Sequence, residues 1–230
     1  MLKRFRDGEA GLPAHLDDYA FMVWGFLELY EHMFDPEYLR RAIELNSLML
    51  KEFWDDQSGG LFFTAENQSD LLVRNKEIYD GAVPSGNSVA AFNLLRIGRL
   101  TSNPDLEEKA RAIGAAFSKQ VNLAPLGYTQ LLAGLLFAKG PTYEVVITGE
   151  RDAEDTKAMI SVLRRGYYPN KVSLFRPAAD QELSIVKLAP YTEFQTPIDG
   201  KATAYVCKDY TCSAPTTDID EMLNLLEAKQ

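Results

Sequence analysis

The sequence predicts a mainly α-helical protein, a partial (α/α) toroid of helical hairpins over residues 1–140 followed by a small α/β region over residues 141–230. Three observations predict it. Successive segments of the first part carry apolar residues at helical spacing. These segments alternate between apolar nearly all round and apolar on one side only, the order expected of inner and outer helices. After Gly140 and Pro141 the texture changes to short β-branched runs flanking one charged, amphipathic segment.

The first helix is read over Tyr19 to Tyr30, where Tyr19, Met22, Val23, Phe26, Leu27 and Tyr30 mark one face and the other face is also rather apolar. The second, Pro36 to Trp54, puts Leu39, Ala42, Ile43, Met49, Leu50 and Phe53 on one side and Glu37, Arg40, Arg41, Glu44 and Lys51 on the rest, so it borders water. Ser85 to Leu100 is again apolar on most sides, Asp105 to Val121 is charged on one side, and Pro125 to Ala138 returns to the inner type. Between the second and third helices, Leu61 to Thr64 and Leu71 to Val73 suggest a small hairpin insert. In the α/β region Tyr143 to Thr148 reads as a strand, Asp152 to Arg165 as a helix, Lys171 to Phe175 and Thr203 to Cys207 as strands, and Asp218 as the cap of a last helix ending at Glu227.

A chain of 230 residues buries roughly 70% of its unfolded surface, enough for a core without covalent staples. Its 46% hydrophobic and 25% charged residues argue against disorder. A net charge of −9 with no compensating Lys/Arg cluster predicts no nucleic-acid partner. The basic residues of MLKRFRDGEAGLP have no apolar run behind them and no stretch approaches membrane-span length, so no membrane association and a cytoplasmic location are expected. Cys207 and Cys212 have neither the C-x-x-C redox spacing nor that of half a zinc ribbon. No metal and no cofactor are expected, and the single glycine of VVITGERD does not make a dinucleotide loop.

Three polar stretches precede the three inner helices: HLDDYA at His15 to Ala20, KEIYDGAVPSGNS at Lys76 to Ser88, and APLGYTQ at Ala124 to Gln130. Parallel inner helices would bring them to one mouth, where free helix N–H groups favour polar ligand oxygens. Asp17, Asp18, Glu77 and Asp80 are the candidate catalytic carboxylates, because glycoside chemistry needs one protonated and one ionised carboxyl group. Tyr19, Arg74, Lys76, Tyr79, Ser85, Gly86 and Asn87 are the candidate ligand-binding residues. Plain helix capping by Asp17, Asp18, Ser85 or Asn87 competes with that reading. Trp24, Phe26, Phe53, Trp54, Phe62 and Phe63, at helical spacing, are read as core rather than as sugar platforms. His15 is a candidate acid or base, and His32 a charge partner at a helix end.

At LDDYAFMVWGFLELYE, FWDDQSGGLFFT, KEIYDGAVPSGNSVAAFNLLRIGRLT and TAYVCKDYTCSAPTTD the chain resembles the C-terminal part of the spermatogenesis-associated, thioredoxin-domain-containing proteins. The resemblance implies a longer protein with a thioredoxin-like domain followed by a six-hairpin toroid similar to N-acylglucosamine 2-epimerases and six-hairpin glycosidases. Against that pattern this chain is short of the thioredoxin-like domain and of about half the hairpins, so thioredoxin activity is not expected of it. Its open flank predicts self-association or a partner chain. The functional expectation is a sugar-like ligand at the mouth; the alternative is a non-catalytic scaffold or interaction domain.

Overall fold

A computed structural model describes residues 1–66, 73–178 and 184–227. The strands β1 (Leu2–Arg6) and β2 (Glu9–Pro13) form an exposed antiparallel hairpin. The sequence reading had no element here, because Lys3, Arg4 and Arg6 interrupt any buried face. The local signal is the Asp7-Gly8 turn, both residues at positive φ, which suits a two-residue hairpin loop.

Five helices follow: α1 (Leu16–Met33), α2 (Pro36–Phe53), α3 (Gly86–Thr101), α4 (Pro104–Leu123) and α5 (Thr129–Lys139). Their starts are chemically specified. Asp35 and Asn103 accept from the backbone N–H two residues on, each followed by a proline at the first helical position, and the Ser85 hydroxyl accepts from Ser88 N–H. The left-handed residues Phe34 and Ser102 end α1 and α3 and turn the chain directly into α2 and α4.

The helices α1, α3 and α5 pack side by side, with α2 behind α1 and α4 behind α3. The helix α3 is buried along almost its whole length, whereas α2 and α4 bury single stripes, Leu39, Ala42, Asn46, Met49 and Phe53 in one and Glu107, Ala110, Ile113 and Phe117 in the other. The edge helices differ from expectation. Although apolar nearly all round, α1 exposes Met22 and Leu29, and α5 exposes Leu135 and Leu136, because each has a helical neighbour on one flank only.

Residues 55–66 and 73–84 hold no paired strands; the expected hairpin is reduced to an isolated bridge between Trp54 and Leu61, and Leu71 and Leu72 lie outside the described residues. Beyond the cis Gly140–Pro141 bond, β3 (Tyr143–Gly149), α6 (Glu154–Arg165) and β4 (Lys171–Pro177) make a parallel crossover unit. After the short α7 (Ser184–Leu188), β5 (Thr203–Lys208) adds antiparallel to the other side of β3. The two-residue β6 (Thr211–Cys212) forms the edge, giving the order β4-β3-β5-β6. The strand β3 is buried at every residue, as a central strand should be. The last helix, α8 (Ile219–Glu227), starts where the Asp218 carboxylate accepts from Glu221 N–H. The chain is mainly helical with a small α/β region, and no described helix is long and apolar enough to cross a membrane.

Candidate functional site

Around the starts of α1, α3 and α5 the predicted residues separate into those whose polar groups are used up in holding the fold and those that keep polar or aromatic surface available. Asp80 is buried, and its Oδ1 accepts from Ser85 N–H at 3.0 Å while Oδ2 accepts from Gln130 and Leu131 N–H at 2.8 and 3.2 Å. It caps α5 and ties it to α3. Asn87 is fully buried: Oδ1 accepts from Leu61 N–H, and Nδ2 donates to the carbonyls of Leu61 and Glu77, each at 2.8 Å. Asp18 accepts from His15 N–H and closes the start of α1, and the Ser85 hydroxyl is the cap of α3. Arg74 donates to the carbonyls of Thr64 and Glu52 and covers the Phe62 ring, while Lys76 pairs with Asp55 and donates to Gly59 O. Tyr19 is buried edge-on against Phe53. Most hydrogen bonds in this group hold loop or helix-end backbone; the Lys76–Asp55 pair and the Ser85–Ser88 hydroxyl contact join side chains within the same loops and helix start.

Asp17, Glu77 and Tyr79 remain. The α1 and α3 starts approach so closely that a Cβ on Gly86 would stand 2.3 Å from Asp17 Oδ1 and 2.7 Å from Leu16 Cγ. Burial raises the Asp17 pKa above the ordinary aspartate value; Gly86 N–H opposes the shift, and the neighbouring Glu77 carboxylate adds to it. Glu77 is exposed. A half-buried carboxyl that holds its proton more strongly, beside a solvated one, is the asymmetric pair that acid and base roles require. Tyr79, 68% exposed, stands edge-on to Tyr128 and offers an aromatic surface at the same rim.

A second group sits further along the inner helices, and the sequence reading missed it. A cleft of about 620 Å³ is walled by Trp24, Glu28 and Glu31 of α1, Phe92 and Arg96 of α3, the end of α5, and the loop from Tyr167 to Lys171. Arg96 is buried; desolvation works against its charge, but Glu31 and Glu28 outweigh it and raise its pKa. It bonds Glu28 at 2.6 Å and Glu31 at 3.1 Å, Glu28 also accepts from the Trp24 indole N–H, and Glu31 accepts from Ser173 N–H. The Glu28 side chain stays 59% exposed, a positioned acceptor on the cleft wall. Trp24, core by its helical spacing, packs partly buried against the core and also walls this cleft. The usable signals were its i, i+4 relation to Glu28 and the presence of Arg96 in a helix otherwise too apolar to carry an unpaired charge.

Asp17, Phe21, Trp24 and Glu28 fall at i, i+4, i+7 and i+11 and therefore share one face of α1, running from its N-terminal turn to the cleft. Among the described residues no group of three or more metal-ligating side chains is present. Cys207 and Cys212, unassigned by their spacing, are joined in a disulfide across β5 and β6.

No protein-family model matches the chain. It is 37% identical over 212 residues to spermatogenesis-associated protein 20 of Homo sapiens and 36% identical over the same length to that of Rattus norvegicus. Each alignment covers 92% of this chain and 27% of the relative. An uncharacterized protein of Caenorhabditis elegans is 28% identical over 218 residues, 95% of this chain and 29% of its own. The chain thus spans little more than a quarter of the length of the curated relatives it matches.

Proposed function

The chain belongs to the spermatogenesis-associated protein 20 family, and from that premise we propose that its helical layer, residues 1–140, is a segment of an (α/α) toroid that binds a sugar-like ligand along its inner surface. The single observation that carries this reading is the stripe Asp17, Phe21, Trp24 and Glu28, which joins an acid pair at one end to an aromatic, carboxylate-bearing cleft at the other. A sugar ring has C–H faces that pack on Trp24 and Phe92 and hydroxyls that donate to Glu28, and the cleft volume falls in the range of small-ligand sites. At the mouth, Asp17, whose pKa burial raises, is the candidate acid, the exposed Glu77 carboxylate is its partner, and Tyr79 is a rim contact. Asp18, Asp80, Ser85 and Asn87 act by holding these groups in place. The test is the melting temperature of the chain against mono- and disaccharides and sugar phosphates. A saturable rise that Trp24→Ala and Asp17→Asn each diminish supports the reading, and a flat response across the panel discards it.

A second reading, an interaction domain, is favoured by the two exposed apolar edges, Met22 and Leu29 at one end of the layer and Leu135 and Leu136 at the other. Unlike edges at opposite ends of one layer suit head-to-tail contact with a second copy. Light scattering across concentrations distinguishes it: assembly weakened by Leu136→Lys is the positive result, and a monomer at every concentration the negative one.

A further inference from the structure

The β5–β6 hairpin carries a feature that no ligand site explains. Its turn passes through Asp209 and Tyr210, both at positive φ, 48° and 65°. Two such residues in succession are the geometry of a tight hairpin turn that normally selects Asn-Gly, since a Cβ is disfavoured there. Here the Cys207–Cys212 disulfide closes the hairpin from the other side.

Both turn residues are committed to the contact between the helical layer and the sheet. Asp209 N–H donates to Thr142 O at 2.9 Å, and its Oδ1 accepts from Thr142 N–H at 3.1 Å. Tyr210 N–H donates to Glu144 at 3.2 Å, its hydroxyl donates to Glu107, and its ring lies 4.3 Å from the Arg99 guanidinium. Behind the turn, Arg99 of α3 pairs with Glu144 of β3 at 2.7 Å and with Glu107 of α4 at 3.4 Å, and all three side chains are at least nine-tenths buried. Arg99 also lies 3.8 Å from the Asp209 carboxylate of the turn, so one buried guanidinium faces three carboxylates, and Tyr210 supplies further donors to Glu107 and Glu144. The two sulfurs differ in access: Cys207 is 4% exposed, whereas Cys212 lies exposed on the two-residue edge strand.

We propose that the Cys207–Cys212 disulfide is a reducible latch that holds the Asp209-Tyr210 turn over the buried Arg99, Glu107 and Glu144 cluster, and that a dithiol reductant opens it. A thiolate of the reductant attacks the exposed Cys212 Sγ; the S–S bond breaks, and Cys207 leaves as a thiolate and takes up a proton. The second reductant thiolate then displaces Cys212 from the mixed disulfide. Two electrons and two protons pass to the cysteine pair, and the reductant becomes a disulfide. Without the S–S bond the left-handed residues are held only by the strand pairing and the hydrogen bonds to Thr142, Glu144 and Glu107, so the turn opens more often and the cluster then loses the donors of Tyr210.

The experiment takes the full chain, air-exposed and then treated with dithiothreitol, and combines thiol titration with hydrogen-exchange mass spectrometry. The latch predicts no free thiols before treatment and two after it. It also predicts roughly tenfold faster exchange in peptides over residues 97–110, 140–149 and 203–213, with the rest unchanged. Cys207→Ser/Cys212→Ser should show the fast pattern with or without reductant; if that variant does not fold, the comparison of oxidised and reduced wild-type chain decides alone. Two free thiols in the air-exposed protein, identical exchange before and after reduction, or uniform acceleration over the whole chain would each overturn the proposal.

Discussion

Asp17 and Asp80 both stand at inner-helix starts, and their surroundings give them opposite work. Asp80 receives three backbone N–H groups, so Asp80→Ala leaves buried donors unpaired and should lower stability by roughly 3 kcal/mol in urea denaturation. Asp17 has a raised pKa, caused first by burial. In the folded state it therefore binds a proton more strongly than in the unfolded chain, and stability falls as pH rises from the ordinary aspartate value of 3.8 to the raised one. Below that window the group costs nothing; above it the cost is complete. Asp17→Asn removes the titrating group and keeps an acceptor for Gly86 N–H. Melting curves should show the variant equal to wild type at pH 3 and more stable at pH 7; a gap independent of pH would refute the assignment.

At the scale of elements, the junction of α1 and α3 depends on one missing methyl group. Gly86→Ala forces a Cβ against Asp17 Oδ1 and Leu16 Cγ, and should cost about 1–3 kcal/mol and part the two helix starts. Circular dichroism on thermal unfolding measures the first effect, and loss of the pH-dependent difference between the Asp17 forms reports the second. The helices themselves were legible in the sequence, since the apolar period and the contrast between α3 and its neighbours α2 and α4 are local signals; the Asp35 and Asn103 caps, which set the starts of α2 and α4, went unread. The roles of Asn87 and Asp80 were not. Asn87 closes on Leu61, 26 residues away, and Asp80 on Gln130, 50 residues away, and no spacing rule records such partners. Trp24 packs against the core as its spacing predicts, but its second role was not legible: periodicity says which residues share a face, not that α1 is an edge helix whose face toward α3 opens into a cleft.

For the whole molecule, the helical layer and the sheet are joined through charge rather than apolar surface alone. Arg99, Glu107 and Glu144 come from α3, α4 and β3, and each is needed because the others are buried with it. Removing one member strands charge away from water, so Glu144→Ala should cost roughly 3–5 kcal/mol in chemical denaturation. The group formed by Glu37, Arg40, Arg41 and Glu44 on α2 has comparable geometry but side chains 41–58% exposed, and Glu37→Ala should be indistinguishable from wild type. The contrast isolates burial as the cause. Arg99→Met sharpens it, because it leaves the Glu107 and Glu144 carboxylates buried together without their shared cation, whereas adding Glu144→Leu removes one of them and leaves Glu107 the Tyr210 hydroxyl. The double variant should be more stable than Arg99→Met alone, with strong non-additivity in a mutant cycle. If the losses simply add, Arg99 and Glu144 are independent, and the two parts of the molecule are held together by packing instead.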